Sequence, residues 1–138
     1  GRLFYNPKIK DDIWFIAGIG DIYRKKEQYN LAEKYYNIAI NKAIQQNDSS
    51  SLLTLYNNYA LIPTLRGDIN LAIDYFKKAK YIAICLKDNY NQSDLNTKIA
   101  QYYIKINDFE SALPFINEAI VYFERKKQTN IYFSRWQY

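Results

Sequence analysis

A block of eleven residues returns three times in this chain, as Tyr29–Ala39, Ile69–Ala79 and Phe109–Ala119. The leading alanines, Ala32, Ala72 and Ala112, stand forty residues apart. A fixed period of this size marks stacked repeats, in which each unit is too small to bury its own apolar face and leans on its neighbours. Architecture and a broad task, holding a partner, follow from that recurrence; the identity of the partner does not.

Each block is preceded by a second segment with helical spacing. Its apolar or small residues are Ile16, Ile19, Gly20 and Tyr23, then Tyr56, Tyr59, Ala60 and Pro63, then Ile99, Ala100 and Tyr103. Steps of three, one and three keep such residues on one helix face. Gly67-Asp68 and Asn107-Asp108 separate the two kinds of segment, each aspartate placed to accept from backbone N–H groups of the next helix. Polar stretches at 45–51 and 87–93 supply the other turns. The expected unit is a helix-turn-helix pair, and the expected chain is a single array over 1–138, with repeats at about 13–52, 53–92 and 93–128. Extending the register puts Trp136 at the first aromatic position of a fourth unit, whose opening helix would occupy 129–138.

The residues Ile19-Gly20-Tyr23-Ala32-Tyr36-Ala39, with Tyr59-Ala60-Ala72-Phe76-Ala79 and Ile99-Ala100-Tyr103-Ala112-Ile116-Ala119, resemble the tetratricopeptide repeat. Small residues let two helices approach while aromatics fill the space beside them. The resemblance implies an all-α fold, a right-handed α-solenoid of stacked helix-turn-helix repeats. Two departures stand out. The family period is about 34 residues, so each unit here carries about six more, and Ala43-Ile44 and Ala83-Ile84 point to longer second helices. Such long-period arrays are similar to those of bacterial signalling proteins. Pro63 stands inside a leading helix, where it removes a backbone hydrogen bond and kinks or shortens that helix.

The composition excludes several classes of function. The chain has no histidine, four glycines and one cysteine, which leaves no Gly-rich phosphate loop and no Cys/His metal spacing. We therefore expect no enzyme, no metal and no cofactor. Asp11-Asp12 is read as a helix cap rather than an acid–base pair, and Cys85, in an apolar helical stretch, as a small buried hydrophobe. No apolar run approaches the about 18 residues of a membrane span, so no membrane insertion is expected; the compartment is left open, with the cytoplasm slightly favoured over the periplasm. The net charge of +5 includes basic clusters at Arg24–Lys26, Lys77–Lys80 and Arg125–Lys127. In the repeat register they face different directions, which disfavours nucleic acid as a partner. Most of the fifteen tyrosines fall at core positions; Tyr35, Tyr75 and Phe115 are the candidates for partial exposure.

In tetratricopeptide arrays the leading helices line a concave groove. The resemblance therefore assigns the groove to a stripe containing Trp14, Asp21, Asn57, Asn58, Leu61, Lys98 and Gln101. Asn57, Asn58, Lys98 and Gln101 would supply polar contacts, since side-chain amides both donate and accept, as the backbone of an extended peptide requires. Trp14 and Leu61 would supply apolar ones. The carboxylate clamp of chaperone-binding relatives is absent, because Ala17, Asp21, Leu61, Thr97 and Gln101 occupy its positions and Asp21 would repel a carboxylate. The resulting expectation is a scaffold for a protein or peptide segment, serving as the sensory or docking part of a larger protein. Its rivals are an oligomerisation module that self-associates through incomplete repeat ends and a nucleic-acid-associated repeat protein.

Overall fold

The computed structural model describes residues 12–136, with side chains to 130. The described residues are all-α, arranged as helix-turn-helix pairs: α1 (Ile13–Lys25), α2 (Tyr29–Gln45), α3 (Ser49–Tyr59), α4 (Leu61–Leu65), α5 (Ile69–Cys85), α6 (Asn89–Lys105) and α7 (Phe109–Trp136). They form two compact units that divide within α5, one ending at Ile82 and the other beginning at Ala83.

The turns are built alike. Glu27, Asn47, Gly67, Lys87 and Asn107 all have positive φ, one every twenty residues. At each, the left-handed residue donates to the carbonyl three positions back and the following residue donates to the carbonyl five back, as in Gly67 N to Thr64 O (3.1 Å) and Asp68 N to Pro63 O (2.8 Å). This pair of bonds satisfies two carbonyls that the helix end leaves open. Four of the following residues are aspartates that turn at once into caps. Asp48, Asp68, Asp88 and Asp108 accept from Ser51 N, Leu71 N, Asn91 N and Ser111 N at 3.0–3.2 Å. Gln28 is the exception and makes no side-chain cap. At the start of α1, Asp12 accepts from Trp14 N and Phe15 N; Asp11 lies outside the described residues.

These short turns decide where the extra residues of the period go. Both α2 and α5 have 17 residues, and so does the leading helix α6. Lengthening is therefore shared by both helices of a unit instead of falling on the second alone. Leading helices α3 and α6 start at Ser49 and Asn89, about one turn upstream of the expected repeat boundaries. Pro63 acts as the sequence implies. It has no N–H for the Tyr59 carbonyl, and the leading helix breaks at Ala60 between α3 and α4, with Pro63 itself buried. The chain does not turn at Thr129: α7 runs on to Trp136. Glu124–Gln128 are five strong helix formers with no capping aspartate after them, so nothing local stops the helix.

In the first unit the core holds Ile13, Ile16, Ala17, Ala32, Tyr36, Ala39, Ile40, Ala43, Leu55, Tyr59 and Ile62. Gly20 explains the close approach of α1 to α2. A Cβ there would lie 3.1 Å from the Tyr36 ring and 3.3 Å from the Ala32 carbonyl. Tyr36 is fully buried, packs edge-on against Tyr59 with centroids 6.0 Å apart, and donates its hydroxyl to Asp21. In the second unit α6 packs on α7 around Leu95, Ile99, Ala100, Ala112 and Ala119.

Cys85 is exposed, contrary to the expectation of burial. It follows Ala83, which is fully buried, by two residues, and two residues at 3.6 per turn place a side chain on the far face. Tyr35, Tyr75 and Phe115 are partly exposed, as expected.

Candidate functional site

On α1 the proposed stripe starts with Trp14, whose indole is 48% exposed, while Ala17 one turn later is buried. Asp21 has a structural duty: it accepts the Tyr36 hydroxyl and lies 3.6 Å from the Arg24 guanidinium. Burial, with the Asp21 carboxylate beside it, pushes the Tyr36 phenol well above its ordinary range. On the second leading helix Asn57 and Asn58 are partly exposed, and Leu61, the first residue of α4, is 39% exposed. These five residues belong to the first unit. Lys98 and Gln101 belong to the second, where Gln101 is exposed and Lys98 pairs with Asp94 one turn back at 3.1 Å. Each unit thus presents a leading-helix surface of mixed character, amide and aromatic in the first, amide and cationic in the second.

A second feature escaped the sequence reading. Between α6 and α7 lies a cleft of about 600 Å³, with Gln92, Ser93 and Asn96 on one side and Glu118, Arg125 and Lys126 on the other. The Asn96 amide donates to the Glu118 carboxylate at 3.0 Å. Asn96 and Ser93 are only 4% and 3% exposed, yet the Asn96 Oδ1 and the Ser93 hydroxyl have no hydrogen-bond partner. A buried polar atom left unpaired costs about 1–3 kcal/mol, so this pair weakens the hairpin. The register held the signal: forty and eighty residues earlier the same positions are Leu53 and Tyr56, then Ile13 and Ile16. In the first unit the depression between α3 and α5 is lined by Leu52, Tyr56, Tyr81 and Ile82 together with Asp74, Lys77 and Lys78, and the Lys78 ammonium lies 4.8 Å from the Tyr75 ring centroid.

The basic clusters have separate settings. Arg24–Lys26 closes α1, while Lys77–Lys80 lies within α5. Arg125–Lys127 sits in the middle of α7, so the helix-end dipole does not account for it. Among the described residues no three His, Cys, Asp or Glu side chains come together to hold a metal, and no helix is long and apolar enough to cross a membrane.

Segments 16–45 and 93–123 match the family model of the tetratricopeptide repeat. Over these two segments the chain is similar to the tetratricopeptide repeat. The matched segments cover α1 with α2, and α6 with the first half of α7; the repeat broken by Pro63 falls between them. Two solved structures share the fold. One, the tetratricopeptide domain of Arabidopsis FLU, is 18% identical with a TM-score of 0.71, and the alignment covers 86% of this chain and 99% of that one. The other, BtubC from P. vanneervenii, is 21% identical with a TM-score of 0.71, over 90% of this chain and 51% of that one. Identities this low speak for the fold alone. No curated protein matches the sequence.

Proposed function

We propose that this tetratricopeptide-like chain is a non-catalytic scaffold that binds a protein or peptide segment along its leading helices, as the sensory or docking segment of a larger protein. The observation that carries the reading is the exposure of Trp14 on α1 and of Leu61 on the second leading helix, three and four residues after the partly exposed amides of Asn58 and Asn57. Exposed apolar side chains and amides that both donate and accept, offered by the same set of helices, suit the side chains and the backbone of a peptide. Gln101 and Lys98 give the second unit a comparable polar face. Asp21 is a weaker member, because the Tyr36 hydroxyl and Arg24 already engage it. The test is quantitative recovery of a partner by the immobilised chain. Asn57→Ala with Asn58→Ala, and separately Trp14→Ala, should each lower recovery about tenfold while the helical circular dichroism stays that of the parent. Undiminished recovery by both variants would reject the placement.

A second reading, self-association, is favoured by α7, where Leu113, Ile120 and Phe123 are about half exposed. Light scattering across concentration decides it. A mass that rises with concentration supports it, and a constant monomer mass removes it.

A further inference from the structure

We propose that the α6–α7 cleft is itself a binding site, and that its ligand is an extended peptide of about three residues whose amino group faces Glu118 and whose carboxylate faces Arg125 and Lys126. This site shares with the preceding section the reading of the chain as a peptide binder, yet uses none of the residues Trp14, Asn57, Asn58, Leu61, Lys98 and Gln101.

Three observations converge on it. First, two α6 positions that line the cleft are polar where their counterparts are not. Where the equivalent positions of the first unit carry Ile13 and Ile16 or Leu53 and Tyr56, this hairpin carries Ser93 and Asn96. Second, their unpaired atoms are chemically complementary to a peptide bond. The Asn96 Oδ1 accepts from an N–H, and the Ser93 hydroxyl donates to a C=O. Both residues line the cleft with these atoms buried, so a guest engages them after a side-chain rotation in which Asn96 gives up its bond to Glu118 and the peptide amino group takes that place. Third, the charges are ordered along the cleft. Glu118 lies beside Asn96, and Arg125 and Lys126 follow seven and eight residues later on the same helix. At 1.5 Å per residue that is about 11 Å. An extended tripeptide spans about 10 Å, and the cleft volume of about 600 Å³ is within the range of small-ligand pockets.

The arrangement favours a peptide over a lone anion, because a carboxylate stands at one end of the cleft and cations at the other. It favours a short segment over a helix, because the unpaired groups seek backbone partners that a helix has already used internally.

The probe is trialanine, titrated at millimolar concentration into the whole 15N-labelled chain. Amide shifts should concentrate at 92–96 and 118–126 and saturate. N-acetyl-trialanine amide, which lacks both charges, should bind at least about tenfold more weakly, a loss of roughly one ion-pair's worth of affinity. Arg125→Gln with Lys126→Gln, two exposed positions, should weaken trialanine by a similar factor without altering the fold. Restoring the first-unit pattern, Ser93→Leu with Asn96→Tyr, should abolish the shifts and raise the melting temperature. If that variant fails to fold, the Arg125/Lys126 variant decides alone. Absence of shifts, equal binding of the capped peptide, or unchanged binding by the Arg125/Lys126 variant would overturn the proposal. Shifts that vanish in Asn57→Ala with Asn58→Ala would place the peptide on the leading helices and overturn it too. Persistence of trialanine binding in that variant, with partner recovery lost, would separate the two sites.

Discussion

Gln28→Asp should stabilise the first unit. Among the five residues that follow a left-handed turn position, Gln28 alone is not an aspartate, and it alone makes no cap. Its backbone is already placed for one. Gln28 has φ −93 and ψ 72, against φ −93 and ψ 81 at Asp48 and φ −87 and ψ 88 at Asp88, both of which cap their helices. An aspartate at 28 would therefore accept from Leu31 N without backbone rearrangement, satisfying a donor at the start of α2. Such a cap contributes about 1 kcal/mol, and the first turn of α2 holds no acid to share the favourable field of the helix end. Arg66, within reach of the same turn through Asn30 and Glu33, adds a cation nearby. In urea the gain should move the midpoint up by about 0.5 M, and in a thermal scan by roughly 4 °C, followed by far-ultraviolet circular dichroism. The reciprocal variant Asp68→Ala, which removes the bond to Leu71 N, should cost about 1 kcal/mol. An unchanged or lowered midpoint for Gln28→Asp, with the expected loss for Asp68→Ala, would show that backbone match is not what makes these turns cap.

Two glycines in α1 should respond oppositely to alanine. Gly18→Ala meets nothing within 4 Å and should gain about 0.5–1 kcal/mol of helix propensity, whereas Gly20→Ala presses on Tyr36 and the Ala32 carbonyl and should lose about 1 kcal/mol net. Matching urea midpoints would refute the close-approach account of Gly20. Stability should also fall at both extremes of pH. The Tyr36 and Tyr59 phenols are held above their ordinary value of 10.0, chiefly by burial, so their contribution is complete below pH 10 and is lost as pH rises above it, when unfolded tyrosine ionises first. Asp48 and Asp88 are held below the carboxylate range, Asp48 mainly by the Ser51 side chain and Asp88 mainly by the Asn91 N–H, so their contribution is present above about pH 4 and fades as pH drops. A stability profile flat from pH 8 to about 11.5 would contradict the first half of this statement.

Much of the fold was legible because its determinants are local and recur. The alanines that define the period are all buried, at 0%, 0% and 1% exposure for Ala32, Ala72 and Ala112, since only a methyl group fits where two helices touch. Gly67-Asp68 and Asn107-Asp108 announced turns through residue types that accept left-handed geometry or cap a helix. Glu27 and Lys87 adopt that geometry without either preference, so composition could not reveal them; the twenty-residue beat, read from the other three turns, would have. The misplacement of Cys85 has a similar origin. Its neighbours Ile82, Ala83 and Ile84 are apolar, but helix angle rather than local hydropathy sets which of them faces inward, and Ala83 does so at the expense of Cys85.

The part that sequence did not disclose lies where one unit breaks the pattern of the others. Positions filled alike in successive units, such as Ala39, Ala79 and Ala119, answer the common demand of helix pairing and carry no information about a guest. A position where apolar packing is replaced by an unpaired polar group has given up stability that the neighbouring units show to be available at the same geometry. Ser93 and Asn96 meet that description, and Asp21 does not, because it is partly exposed and paired with Tyr36 and Arg24. An array of repeats thus contains its own control: the recurring residues report the cost of building a hairpin, and departures that are locally unfavourable mark where the hairpin is shaped for something else.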